Sequence, residues 1–123
     1  MTSNEALLDE VLLAGLDDWI QAAEVASLAM EVGGASTGSD IRRLSVAVIR
    51  AAALGGLMRI GDLTEDGFVP WRHEPEAAVC AVEKAWLDLG RGPDLGEICW
   101  LDNTDAGDAR AIQVSKRRAS GAT

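Results

Sequence analysis

Ser39-Asp40-Ile41-Arg42-Arg43-Leu44-Ser45-Val46-Ala47-Val48-Ile49-Arg50-Ala51-Ala52-Ala53-Leu54-Gly55-Gly56-Leu57-Met58-Arg59-Ile60 carries the clearest periodicity in the chain. Ile41, Leu44, Val48, Ile49 and Ala52 recur at three- and four-residue spacing, which puts them on one face of a helix. Ser39 reads as its N-cap, with Asp40 in the first turn, where the helix dipole favours a negative charge. Arg43 and Arg50, seven positions apart, share the solvent side, with Arg42 nearby. Gly55-Gly56 stops the helix, and Leu57 to Ile60 alternates as a short strand before a turn at Gly61-Asp62.

Toward the N-terminus, Leu8, Val11, Leu12, Gly15, Leu16, Trp19 and Ile20 fall on one helical face, opposite Asp9, Glu10, Asp17 and Asp18. Asp17 is a suitable N-cap, so the pattern predicts two helices, the second running from Asp18 to about Val32. This second helix is expected to bury Trp19, Ala22, Ala23, Ala26, Ala29 and Met30. Gly33 to Gly38 then connects it to the third.

Toward the C-terminus, Thr64-Glu65-Asp66-Gly67 reads as a second turn, followed by a strand Phe68-Val69-Pro70-Trp71 whose proline belongs at an edge or end. Glu74-Pro75-Glu76 opens a fourth helix with buried stripe Ala78, Val79, Val82, Ala85, Trp86 and Leu89. A loop from Gly90 to Gly96 leads to the uncharged, central strand Ile98-Cys99-Trp100-Leu101. Asp102-Asn103 turns the chain, and Thr104 caps a last helix. The segment from Lys116 to Thr123 has no apolar pattern and reads as a frayed basic tail behind a single domain at 1–115.

The 123 residues carry 20 acids and 11 bases, a net charge of −9, and the charges are segregated. Residues 1–41 hold eight acids and no base, whereas 42–59 hold Arg42, Arg43, Arg50 and Arg59 and no acid. Charge distribution of this kind speaks to partners. Hydrophobic content of 48% marks a chain that builds a core. No apolar run approaches the ~20 residues that span a bilayer, and the first residues lack a basic and apolar leader, so a cytoplasmic protein with no membrane contact is expected. Cys80 and Cys99 have no metal-type spacing and are expected to be reduced, buried thiols.

Three helices followed by strands and a closing helix, with the third helix ending in Leu54-Gly55-Gly56-Leu57-Met58-Arg59, resemble a winged-helix domain. The stretch Leu101-Asp102-Asn103-Thr104-Asp105-Ala106-Gly107-Asp108-Ala109-Arg110-Ala111 is similar to the family's closure, where the last wing strand passes into a final helix. Together these cover residues 1–111. The resemblance implies an α+β fold with a small antiparallel sheet, three N-terminal helices and a C-terminal helix. It also implies a third helix that enters the DNA major groove with Arg42, Arg43 and Arg50, and with Arg59 at the wing junction, in a dimer. Two features depart from the family. A helix over Glu74 to Gly90 stands between the wing strands, and the turn carries Glu65 and Asp66 where a DNA-binding wing has bases.

Guanidinium groups suit guanine edges and phosphates, yet DNA binding draws much of its affinity from phosphate neutralisation, which the acidic flanks oppose. The sequence therefore favours a non-enzymatic protein-binding module, such as a small inhibitor, immunity or adaptor protein, with a winged-helix DNA-binding regulator as the alternative. Asp9, Glu10, Asp17 and Asp18 are the candidate contacts for a basic partner, and Trp71, beside Pro70, Arg72 and His73, is the tryptophan expected to be exposed. Asp102, Asp105 and Asp108 serve turns and caps and lack a calcium-loop pattern, so no metal is expected. His73 is the sole histidine, and no nucleophilic elbow, reactive cysteine or phosphate loop accompanies it. No catalytic residue and no cofactor are expected.

Overall fold

The third helix, α3, spans Gly38–Leu54 and starts one residue before its expected cap. Thr37, not Ser39, caps it: its Oγ1 accepts the Asp40 N–H at 3.1 Å. The helix closes as the glycine pair predicts. Gly56 takes φ 71°, and the Gly56 and Leu57 N–H groups bond back to the carbonyls of Ala53 and Ala52, a Schellman closure that needs a left-handed residue.

The computed structural model describes residues 3–121, an α+β domain with five helices and a four-stranded antiparallel sheet among the described residues. The other helices are α1 (Ser3–Ala14), α2 (Ala22–Glu31), α4 (Pro75–Leu89) and α5 (Asp105–Gly121). The strands β1 (Ile20–Gln21), β2 (Met58–Thr64), β3 (Gly67–Pro70) and β4 (Trp100–Asn103) lie in the order β1-β4-β2-β3. β4 is central, as expected, but it starts two residues later than the strand read over Ile98 to Leu101 and includes Asp102. Ile20, Leu101 and Ile60 face one another across β1, β4 and β2 and are all buried, so this row joins the sheet to the helical core of Leu7, Leu12, Val25, Ile49 and Val82.

The second helix does not begin at Asp18. Ile20 and Gln21 are taken into the sheet by Leu101 and Trp100, and Asp18 bonds to the N–H of Trp19 at 2.8 Å instead of capping a helix. Ala22, Ala26 and Ala29 are buried as expected, but Met30 and Trp19 are exposed. Gly61-Asp62 is not a turn: Gly61 sits inside β2, opposite Pro70 and Trp100. A Cβ built there would stand 2.2 Å from the Val69 carbonyl oxygen, so glycine is needed for close strand approach and not for reversal. Asp102 and Asn103 likewise end β4.

Thr104 caps α5, accepting the Gly107 N–H at 3.1 Å, and its own hydroxyl donates to the Gly56 carbonyl at 2.6 Å. The Thr104 N–H bonds to Leu57 O at 3.0 Å. The two motifs quoted above, joined here by residues 48 positions apart in sequence, thus meet at this one hydroxyl. α5 continues to Gly121 through the segment expected to fray, because Arg118 is anchored on α1; residues 122 and 123 lie outside the described residues.

Candidate functional site

Asp9 and Glu10 of α1 are not open to a partner. Asp9 is only 4% exposed, and its Oδ1 accepts from Nε and Nη2 of Arg110 at 3.3 and 3.2 Å. Glu10 pairs with Arg118. The bases of α5 therefore neutralise α1, which removes Asp9 and Glu10 from the expected partner surface. Sequence reasoning missed this because the bonded positions are separated by 101 and 108 residues.

Asp17 and Asp18 remain exposed in the loop between α1 and β1, and neither makes an ion pair among the described residues. They line a cleft of about 320 Å³ together with Trp19, Asp102, Asn103 and Asp108. Asp102 is tied to Arg59, while Asp108 accepts from Asn103 Nδ2 at 3.1 Å. Asn103 Nδ2 also donates to Leu12 O at 2.9 Å, which fixes the end of α1 against the cleft floor. Trp19 is 36% exposed, and its Cη2 would lie 3.7 Å from a Cβ built on Gly67. The indole thus stands between Asp17 and Asp18 on one side and the β2–β3 turn on the other. That turn presents Glu65 and Asp66, held by Thr64, whose Oγ1 accepts the Asp66 N–H and donates to Gly67 O.

Trp71, expected to be the exposed tryptophan, is half-buried against the core and meets His73 edge to face at a 6.2 Å ring separation. Its N–H bonds to Ile60 O at 2.9 Å, so the residue extends the strand ladder. Trp86 is buried as expected, and Trp100 is half-buried in β4. Trp19 is the indole left to solvent. The signal in the sequence is its position directly after two acids, a pattern that equally suits a helix start.

Of the four arginines, Arg43 is exposed on α3 and makes no ion pair among the described residues. Arg50 is exposed but bound to Glu76 of α4 at 2.6 Å. Arg59 pairs with Asp102, and its guanidinium lies 5.4 Å from the centre of the Phe68 ring, where the ring face attracts the cation. Arg42 is half-buried beside Trp86, Leu87 and Gly90 of the α4 end. α4 thus packs along α3 and occupies one flank of the face expected to read DNA.

Cys99 is buried, and burial, aided by the charge of Asp62, pushes its thiol up to about 12. Cys80, expected to be buried, is exposed on the solvent side of α4. His73 is exposed, and among the described residues no group of three His, Cys, Asp or Glu side chains is disposed to hold a metal ion. No described helix is long and apolar enough to cross a membrane. Comparison with protein-family models, curated proteins and solved structures finds no match to this chain.

Proposed function

We propose that the chain is a non-enzymatic protein-binding module on a divergent winged-helix-like scaffold, presenting the acidic surface around Trp19 to a basic protein as an inhibitor, immunity or adaptor subunit. The scaffold reading is supported by a three-helix unit, α1 to α3, followed by a hairpin, with β1 lying between α1 and α2 in the chain and β4 pairing with both β1 and β2. α4 is then the helix inserted between the wing strands.

The observation that carries the functional reading is the exposed indole of Trp19, bordered by Asp17 and Asp18 in its own loop and by Glu65-Asp66 next to Gly67. Tryptophan supplies large contact area at low entropy cost, and uncompensated carboxylates around it steer a cationic partner. Asp17 and Asp18 keep their expected role, and Trp19 takes the one expected of Trp71. Recognition of DNA through Arg42, Arg43, Arg50 and Arg59 draws support from Arg43 alone, since it requires Arg50 to leave Glu76 and Arg59 to leave Asp102.

The test is affinity capture from extracts of the cell that makes the chain, with wild type beside an Asp17→Asn, Trp19→Ala double variant. A basic protein retained at low salt, and lost both in the variant and at high salt, is the expected result. Retention by both forms alike, or retention of nucleic acid in place of protein, sinks the reading.

A further inference from the structure

α5 has two faces of different character. Its inner face is closed: Ala111 and Val114 are buried, Arg110 and Arg118 reach α1, and a Cβ on Gly107 would meet Leu57 O at 2.0 Å. Its outer face carries Asp105, Ala109, Ile112 and Lys116, all exposed, with Ile112 at 46%. Their spacing of four, three and four residues is that of a coiled-coil seam, which keeps all four on one line down the helix. Neither Asp105 nor Lys116 makes an ion pair among the described residues.

We infer that α5 docks antiparallel on α5 of a second copy of this chain, about a two-fold axis passing between Ala109 and Ile112. In that register Asp105 faces Lys116 of the second copy, and Ala109 faces its Ile112. Both relations repeat on the other side of the axis, as an isologous contact requires. The seam is self-complementary in charge, acid at one end and base at the other, and in volume, since each alanine leaves room for the opposing isoleucine. A parallel arrangement sets acid against acid and base against base. The four side chains span about 16 Å at 1.5 Å per residue. This is a smaller patch than the ~800 Å² per partner of a standard interface, so the dimer is weak and forms in the micromolar-to-millimolar range. The inference does not rest on the basic-partner reading.

Sedimentation equilibrium tests it with Asp105→Lys, Lys116→Glu and their equimolar mixture. Wild type is expected to rise from 12.9 kDa toward twice that mass with increasing concentration. Each single variant sets like charges together at both ends and weakens association about tenfold or more, whereas the mixture restores opposite charges at both ends and dimerises. Ile112→Glu, an exposed change at the centre of the seam, gives the same loss without altering either end. A wild type that stays monomeric up to millimolar concentration overturns the inference. So do variants that dimerise as wild type does, or a mixture that fails to recover.

Discussion

Arg110 and Asp9 form an ion pair in which one partner is nearly buried and the other reaches solvent: side-chain exposure is 37% for the guanidinium and 5% for the carboxylate. The pair fastens α5 to α1 and holds Asp9 out of solvent. Removing the cation strands a carboxylate away from water, which costs far more than losing an exposed pair. Arg110→Ala is expected to destabilise the fold by about 2 kcal/mol, while Arg118→Ala, at the exposed pair with Glu10, costs less than about 1 kcal/mol. Urea denaturation followed by tryptophan fluorescence measures both, and equal losses contradict the assignment.

Gly107 is a glycine inside a helix, where alanine ordinarily gains about 1 kcal/mol. Here an added Cβ stands 2.0 Å from the Leu57 carbonyl oxygen and 3.4 Å from Leu12. Gly107→Ala therefore lowers stability by about 1–3 kcal/mol, because α5 has to lift off the α3–β2 junction that Thr104 ties down. A thermal melt at or above the wild-type midpoint contradicts this.

The two cysteines differ in access. Reaction of the native protein with a thiol reagent under reducing-agent-free conditions is expected to label Cys80 alone, and Cys99 only after unfolding, since its thiol is buried and pushed up to about 12. Fast labelling of both thiols in the native state counts against the burial of Cys99.

The loop from Gly90 to Glu97 is closed by Arg91, which donates from Nη1 and Nη2 to the Glu97 carboxylate at 2.8 and 3.0 Å, and by the Asp94 N–H at 2.7 Å. These bonds, that of Arg91 first, lower the Glu97 carboxyl from its ordinary value of 4.5 to about 2. A depressed carboxylate contributes stability that is full above the unfolded value and lost as pH falls toward the folded one. The loop should therefore hold at pH 5 and open as pH drops from 4.5 to about 2, as read by the Glu97 carboxyl carbon shift in NMR. A midpoint near 4.5 contradicts the bonding, and Glu97→Gln should remove the acid-dependent opening.

α3 and α4 were legible because their signals are local: periodic apolar positions, Gly55-Gly56 at one end and Pro75 at the other. β1 was not, since two residues carry no pattern of their own and owe their conformation to Leu101 and Trp100, some eighty positions away. Gly61-Asp62 has the composition of a turn, and only the approach of Val69 explains the glycine. At the candidate site, Asp17 and Asp18 were expected at a helix start and lie instead in the loop between α1 and β1, because Ile20 and Gln21 are taken into the sheet. Asp9 and Trp71 were misassigned because exposure depends on α5 and on the β2 ladder, neither of which leaves a mark near those residues in sequence.

On the proposed reading Arg50 of α3 serves the fold by holding Glu76 of α4, and the acidic surface serves a protein partner. Fluorescence anisotropy with a random DNA duplex at about 50 mM salt, where nonspecific binding is strong, tests this most directly. The account predicts a flat titration. Salt-sensitive binding that disappears in an Arg43→Ala, Arg50→Ala variant would contradict it and return α3 to the role of a DNA reader.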